Sequence, residues 1–180
     1  MLSEELIIYI CISRFTLRSM VNRAKLAKYL KDIEGFSLDT LRDRKILQKK
    51  TYLLQQLGLD FGCGYGFYIY GPYSPELTRD AYALKSQLEI APETIDMEEL
   101  SKSEKKAIEK LNEFLADIDP KDLARELELL TSVHFLSSLS YSKIKTVEQI
   151  KKELSRKKPR VFSDEEIERA WRKLSDFNLL

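Results

Sequence analysis

The sequence predicts a mainly α protein, a multi-helix orthogonal bundle that carries one short β-hairpin or wing. Three observations support this fold class. Helix-start signals recur along the chain, apolar residues follow the spacing of amphipathic helices, and one glycine- and aromatic-rich segment interrupts that pattern. We expect the β element near residues 61–70 and 88–91.

Helix-capping motifs and apolar spacing place the helices. Capping boxes begin at Ser101, Thr146 and Ser163, and both Ser74 and Asp119 precede a proline at the first position of a helix. Leucine-rich stripes add two helices in the N-terminal half. The predicted helices are, in chain order, 26–33, 44–57, 75–87, 101–118, 120–139, 147–155 and 164–176.

The glycine- and aromatic-rich segment is the exception to this helical pattern. Five of the six glycines and six of the eighteen aromatic residues lie between Gly58 and Tyr73. Residues 65–70 favour a strand, because they are aromatic or β-branched and glycines flank them. Its partner would be residues 88–91 or the N-terminal side of the same segment. Glycines 62–66 follow a helix and open a strand, whereas phosphate-binding loops have the opposite order, so no nucleotide site is expected.

Composition is typical of a globular protein. The 180 residues are 43% hydrophobic and 33% charged, which is enough for one core or two small subdomains. The apolar run 6–12 is far shorter than the about 20 residues of a membrane span and follows acidic residues, so it predicts a buried first helix. We expect a cytoplasmic protein with no membrane association, and reduced thiols at Cys11 and Cys63.

Two helical subdomains are expected. The first covers residues 1–90 and contains the glycine- and tyrosine-rich β segment. The second covers residues 100–180 and packs on the first. The acidic stretch 89–100, which contains Pro92, predicts the linker between them.

The corner Tyr70-Gly71-Pro72-Tyr73 is the candidate protein-binding surface. Glycine lets the chain turn, and proline fixes φ and removes a hydrogen-bond donor. Tyrosine binds partners with an apolar face and a polar tip, which favours a sticky platform. The candidate partner-binding residues are Tyr68, Tyr70, Gly71, Pro72 and Tyr73. The alternative is that they only wedge the strand against the next helix.

Segregated charge provides the candidate nucleic-acid-binding residues. The formal charge is +7 over residues 14–50, −7 over 89–128 and +6 over 143–160. We call these ranges the first basic block, the acidic block and the second basic block. Basic side chains in either basic block could contact phosphates, and Gln48 could reach a base edge. The candidates are Arg42, Arg44, Lys45, Gln48, Lys49, Arg156, Lys157, Lys158 and Arg160.

Other interpretations of these charges stay open. Arg42, Lys45 and Lys49 have the spacing of one helix face, which is also typical of a solvated surface. The three C-terminal helices could form a helix-turn-helix or a simple three-helix cap. Blocks of opposite charge could also face one another within the protein or across a homodimer.

Catalytic motifs are not visible in the sequence. His134 is the only histidine, and no cysteine or carboxylate stands at metal-ligand spacing from it. A catalytic triad would need Cys63 or a hydroxyl group to approach this residue in the fold. We therefore expect a non-enzymatic protein with no metal and no cofactor.

Two motifs resemble an uncharacterised prokaryotic family called YwgA. Residues 44–55 read RKILQKKTYLLQ and residues 67–77 read FYIYGPYSPEL. The chain is more distantly similar to the SocA or Panacea domains, which occur as antitoxins and proteolytic adaptors. The resemblance covers residues 40–85 well and implies a mostly helical, non-enzymatic protein that binds protein or nucleic acid. Our prediction is an antitoxin-like or adaptor module that binds a protein partner, and the alternative is a nucleic-acid-binding transcriptional regulator.

Overall fold

A computed structural model describes residues 21–33, 36–138, 146–159 and 161–180. Its described part contains seven α-helices and one two-stranded antiparallel hairpin, which confirms the mainly α fold class. The elements are α1 (Arg23–Asp32), α2 (Leu41–Gln56), β1 (Gly66–Tyr68), β2 (Gly71–Tyr73), α3 (Pro75–Ile90), a 3-10 turn (Pro92–Thr94), α4 (Lys102–Leu115), α5 (Leu123–Ser138), α6 (Val147–Lys157) and α7 (Asp164–Asp176). The predicted helix at 6–12, Cys11 and Arg160 lie outside the described residues.

Side-chain caps begin most helices where the sequence predicts them. The capping boxes at Ser101, Thr146 and Ser163 are all formed, and the Ser74 hydroxyl accepts a hydrogen bond from a backbone N–H of the first turn of α3. Asp119 differs from these residues. Its carboxylate accepts from the N–H of residue 121 in a turn, and α5 begins only at residue 123, because the turn satisfies the carboxylate before the helix starts.

Helix α5 lies at the centre of the molecule. It packs against α2, α6, α7 and β2, and ten of its sixteen residues are buried. Buried apolar residues from α1 to α7 belong to one hydrophobic cluster, to which Leu26, Leu53, Leu130 and Leu174 each contribute a nearly inaccessible side chain. One hydrophobic cluster contains residues of both halves of the chain. The division into subdomains 1–90 and 100–180 stays a prediction.

The hairpin differs from the predicted one. Strand β1 pairs with β2 in the register Gly66 to Tyr73, and residues 69 and 70 form the turn. The predicted strand 65–70 therefore ends in a turn, and its partner lies on the C-terminal side of the glycine segment. The prediction of a strand at 88–91 was wrong, because α3 continues to Ile90. Leu84 is buried and Leu88, one turn later, packs against the same core, which keeps this stretch helical.

Two glutamines of α2 hold the ends of the segment that carries the hairpin. The amide of Gln55 is hydrogen bonded to both backbone groups of Cys63, at 3.0 and 3.1 Å. The amide of Gln48 is bonded in the same way to both backbone groups of Ser74, each at 2.9 Å. Because seven residues correspond to about two helical turns, both amides project from one face of α2. Helix α2 therefore fixes where the hairpin lies.

Gly71 is required by the geometry of the hairpin. Its φ is +80°, whereas Ile69 and Tyr70 have no positive φ, which matches hairpin loops in which a left-handed glycine follows the turn. A Cβ atom on Gly71 would also lie only 2.5 Å from the hydroxyl of Ser132 on α5. The glycine thus permits both the turn and the close approach of β2 to α5.

Candidate functional site

The hairpin turn, α2 and α3 enclose a groove of about 630 Å³, which we call the hairpin groove. It brings together residues from the tyrosine corner and residues from the first basic block, which the sequence analysis treated as separate sites. The lining residues are Leu41, Arg44, Lys45, Gln48, Lys49, Tyr68, Ile69, Tyr70, Tyr73, Thr78 and Tyr82.

Exposed apolar side chains concentrate in this groove. Eight large hydrophobic side chains are exposed in the described part of the chain, and five of them line the groove: Leu41, Tyr68, Ile69, Tyr70 and Tyr82. Single exposed hydrophobic residues are common on protein surfaces, but a contiguous apolar patch is typical of an interaction site. The groove is therefore the strongest candidate site on the described surface.

The five residues of the tyrosine corner divide into two groups. Tyr68 and Tyr70 are exposed, and Tyr73 is half-buried with its ring edge-on to Tyr68 at a centroid distance of 5.3 Å. Gly71 and Pro72 are buried. The tyrosines can therefore contact a partner, whereas the glycine and the proline act by shaping the backbone beneath them.

The basic face of α2 turns inward along its length. Arg42 is exposed, Lys45 is half-buried, and Lys49 is only 2% exposed. The Arg42 guanidinium donates to the carbonyl of Pro120. The sequence suggested a phosphate-binding face here, but the end of this face near Lys49 points at α5 instead of solvent.

Gln48 and Arg44 also have structural roles. Gln48 is buried, and its amide binds the Ser74 backbone and the Thr78 hydroxyl. The sequence suggested that Gln48 could read a base edge, but these hydrogen bonds leave its amide unable to do so. One nitrogen of the Arg44 guanidinium donates to the carbonyls of Leu38 and Asp39 at 2.8 and 2.9 Å, which closes the loop before α2.

Four charged side chains meet beside the groove, and we call them the lysine cluster: Lys45, Lys49, Glu128 and Lys158. Lys45 Nζ lies 2.6 Å from one carboxylate oxygen of Glu128, and Lys158 donates to the other. Lys49 donates to the carbonyl of Pro72. Helix α2, helix α5, strand β2 and the residue after α6 are thus joined through charged groups.

Burial and hydrogen bonding together set the pKa values in this cluster. It lowers the pKa of Lys49 to about 7, with Lys158 and Lys45 acting in the same direction and Glu128 opposing them. Burial also lowers the pKa of Lys158, against the effect of Glu128. For Glu128, burial raises the pKa, but the hydrogen bonds from Lys158 and Lys45 outweigh it and hold the pKa below its usual range. The carboxylate is therefore ionised at neutral pH.

The described part of the second basic block, residues 146–159, is largely engaged within the protein. Arg156 and Lys157 pair with Glu153 at 2.7 and 3.5 Å, and Lys158 belongs to the lysine cluster. The first basic block meets the acidic block at Lys45–Glu128 and also at Lys25, whose Nζ lies 2.6 Å from a Glu104 oxygen. Blocks of opposite charge therefore face one another within the fold.

His134 lies in an aromatic region of the core. Its Nδ1 is 2.7 Å from the Tyr52 hydroxyl, and the two rings meet edge-on. Burial lowers the pKa of His134 to about 4, and burial raises the pKa of the Cys63 thiol to about 12. At neutral pH the imidazole is thus uncharged and the thiol is protonated. Within the described ranges, no group of three or more metal-ligating side chains converges.

Comparisons with family models, with curated proteins and with solved structures found no match to this chain. None of the helices in the described ranges combines the length and apolar content that crossing a bilayer requires. The hairpin groove and the lysine cluster are therefore the features from which a function can be inferred.

Sequence reasoning did not include Leu41, Ile69, Thr78 and Tyr82 in the site. Ile69 stands between two of the corner tyrosines, and Leu41 is the first residue of α2. Thr78 and Tyr82 lie one and two helical turns after the Ser74 cap. These positions are signals that could have pointed to them.

Proposed function

We propose that this protein is a non-enzymatic interaction module that binds a protein partner in the hairpin groove. The observation that supports the proposal is the convergence of five exposed hydrophobic side chains, three of them tyrosines, on one concave surface. Aromatic residues in a groove supply most of the binding energy at many protein interfaces. The resemblance to YwgA-like proteins and to SocA or Panacea domains favours a regulatory role, as an antitoxin-like protein or an adaptor.

The shape of the groove supports this proposal. The turn residues Ile69 and Tyr70 project from a hairpin whose backbone is held by Gln48 and packed on α5 through Gly71. A platform held in this way loses little conformational freedom when a partner binds, and this reduces the entropic cost of association. The tyrosine corner is thus both a structural wedge and a preorganised surface.

A pull-down from the host lysate, quantified by mass spectrometry, tests the proposal. The informative variant is Ile69→Ser, since this turn residue is 81% exposed and its loss should not disturb the core. The matched control is Ile90→Ser, which is 82% exposed at the end of α3 and does not line the groove. We expect a protein that binds wild type and the control but is lost from Ile69→Ser. Equal recovery by all three proteins would contradict the proposal.

The purified partner then gives a quantitative test. Removing an exposed hydrophobic anchor from an interface typically weakens binding by ~1–2 kcal/mol, or about tenfold, when the residue lies near the centre. We expect this loss for Ile69→Ser and no change for Ile90→Ser in titration calorimetry. If the partner is a second copy of the chain, sedimentation will show a concentration-dependent dimer that Ile69→Ser abolishes.

Nucleic-acid binding remains the alternative proposal, with less support from the geometry. Binding of duplex DNA releases counterions, so log K should fall by about 0.9 per neutralised phosphate as log salt rises. Lys49 and Lys158 are buried, and Arg156 and Lys157 are ion-paired. We therefore expect no such salt-dependent binding, and its detection at low salt would favour the alternative.

A further inference from the structure

The lysine cluster makes one end of the hairpin groove electropositive. Lys45 Nζ lies 4.6 Å from the centre of the Tyr70 ring and 2.6 Å from Glu128. Lys45 and Lys49 both line the groove. Lys45 and Lys158 share the single carboxylate of Glu128, and Lys49 adds a further positive charge when it is protonated, so positive charge exceeds negative charge beside the exposed apolar wall.

The partners of Lys49 leave this excess uncompensated. Its ammonium donates to the Pro72 carbonyl, which is a neutral acceptor. The buried Ser132 hydroxyl has no hydrogen-bond partner among the described residues. A Cβ atom built on Gly71 would lie 2.5 Å from this hydroxyl and 3.7 Å from Lys49 Nζ. Lys49 lines the groove and can donate to an anion there, whereas Ser132 is not among the lining residues.

We propose that the hairpin groove recognises an acidic peptide segment of the partner, with an Asp or Glu carboxylate at the Lys45–Lys49 end and an adjacent apolar side chain on the exposed turn. This inference rests on the proposed function and specifies the ligand of that site. An acidic segment is favoured because its carboxylate would offset the excess positive charge of the lysine cluster. The exposed Ile69 and Tyr70 provide the apolar contact.

The arrangement favours a single carboxylate over a nucleic-acid backbone. Successive phosphates need several cations along a surface. Here Lys45 and Lys49 lie one helical turn apart on α2, and the hairpin lines the groove with the rings of Tyr70 and Tyr68 and the side chain of Ile69. Arg44, the other cation of the groove, is engaged with two backbone carbonyls. A peptide with an acidic residue next to an apolar one would place its carboxylate at the lysines and its apolar side chain against the hairpin.

Carboxylate binding should be coupled to the protonation of Lys49. The charged groups that face Lys49 are Lys45 on the same helix, Glu128 on α5 and Lys158 after α6, with the Pro72 carbonyl on β2. Burial lowers the pKa of Lys49 to about 7. An anion beside this group favours its protonated form. The affinity for the acidic peptide should therefore decrease as the pH rises above about 7.

Selection from a random-peptide display library tests the inference with the full chain as bait. The baits are wild type, Ile69→Ser, Lys45→Gln and the control Lys25→Gln. The two lysines are matched, since each side chain is 20% exposed and each ammonium lies 2.6 Å from a glutamate oxygen. Lys25 does not line the groove, and in Lys45→Gln the carboxylate of Glu128 still pairs with Lys158.

We expect wild type and Lys25→Gln to enrich peptides with Asp or Glu next to a large apolar residue. Lys45→Gln should keep the apolar preference and lose the acidic one, and Ile69→Ser should lose both. Enriched peptides without acidic residues, or an acidic preference that survives in Lys45→Gln, would overturn the inference and leave the proposed function standing. No enrichment over Ile69→Ser would also overturn it, whereas the pull-down judges the proposed function separately.

A synthetic peptide from the enriched set gives the second measurement. It is compared with the same peptide in which Glu is replaced by Gln, by fluorescence anisotropy near pH 6.5 and pH 8.5. We expect the acidic peptide to bind about tenfold more tightly at the lower pH, which corresponds to one charge-assisted hydrogen bond. This preference should shrink at the higher pH and in Lys49→Met. A preference that is the same at both pH values and in Lys49→Met would exclude Lys49 from the site.

Discussion

The side-chain amide of Gln48 and the backbone of Ser74 form a closed pair of hydrogen bonds. The Gln48 carbonyl accepts from the Ser74 N–H and the Gln48 amide donates to the Ser74 carbonyl, each at 2.9 Å. Ser74 is the residue that links β2 to α3 and caps that helix. One glutamine therefore ties the hairpin, α2 and α3 together beneath the groove.

Replacing Gln48 with leucine should destabilise the protein. The substitution leaves the buried N–H of Ser74 without a partner, whereas the Ser74 carbonyl still accepts from the N–H of Thr78. We expect a cost of about 1–3 kcal/mol in the free energy of unfolding. The control is Gln56→Leu, because Gln56 lies on the same helix and makes a single bond of 3.4 Å to the Tyr52 carbonyl. Urea denaturation measures both variants. Similar losses for the two variants would mean that the hydrogen bonds between Gln48 and Ser74 contribute little to the free energy of unfolding.

Gly71→Ala should also destabilise the protein, for two separable reasons. The residue has φ of +80°, which costs about 1–2 kcal/mol for a residue with Cβ. The new methyl group would lie 2.5 Å from the Ser132 hydroxyl, and overpacking of this kind costs about 1–3 kcal/mol. We expect a loss of about 2–5 kcal/mol in urea denaturation.

The double variant Gly71→Ala/Ser132→Ala separates these two contributions. Removing the hydroxyl relieves the contact but not the backbone strain, so we expect it to recover part of the lost stability. Gly64→Ala is the control, because a methyl group at this position would have no atom within 4 Å and the φ of Gly64 is not positive. A strictly additive double variant would show that Ser132 does not limit the approach of β2 to α5.

These contacts explain which parts of the fold could be predicted from sequence. The caps at Ser101, Thr146 and Ser163 depend on residues three positions apart, so a local pattern was sufficient. The hairpin register depends on the left-handed conformation of Gly71 and on its packing against Ser132, which lies 61 positions later in the chain. No local pattern contains that contact. The predicted strand at 88–91 was wrong because this stretch continues α3 and packs through Leu88 on the core.

The sequence likewise predicted part of the candidate site, namely its exposed tyrosines, but not which basic residues are buried. Tyrosines 68 and 70 were identified from residue type, and the structure leaves both exposed. Helix spacing places Arg42, Lys45 and Lys49 on one face, but spacing does not show which end of the face is buried. Glu128 on α5 decides this, because its carboxylate draws Lys45 inward and lies near Lys49. The structural role of Gln48 likewise depends on a residue of another element.

Lys49→Met should change how stability depends on pH. Burial lowers the pKa of Lys49 to about 7 in the folded protein, whereas an unfolded lysine titrates near about 10.4. Between these values the unfolded state binds more protons, so this lysine makes wild type more stable as the pH rises. The free-energy difference between wild type and Lys49→Met should therefore shift toward wild type from about pH 7 to pH 10.

Chemical denaturation at several pH values measures this shift. The control is Lys152→Met, which makes the same substitution at an exposed lysine of α6. A parallel pH dependence of wild type and Lys49→Met would show that Lys49 has an ordinary pKa. That result would also remove the expected link between peptide binding and the protonation of Lys49.

His134 should govern stability in the acidic range. Burial lowers its pKa to about 4 in the folded protein, and an unfolded histidine titrates near about 6.5. Between these values His134 is protonated only in the unfolded state. Its contribution to the free energy of unfolding is therefore fully present above about pH 6.5 and is lost as the pH falls toward 4. With its proton on Nε2, the neutral imidazole accepts from the Tyr52 hydroxyl at Nδ1, and protonation of the ring removes this acceptor.

The variant His134→Gln tests this assignment, since glutamine keeps a hydrogen-bonding side chain without a titrating group. Wild type should lose about 3 kcal/mol more than His134→Gln between about pH 6.5 and pH 4. Carboxylates titrate in the same range but are common to both proteins, so they cancel in the difference. If both proteins lose stability equally, the assignment of His134 as a buried neutral side chain is wrong.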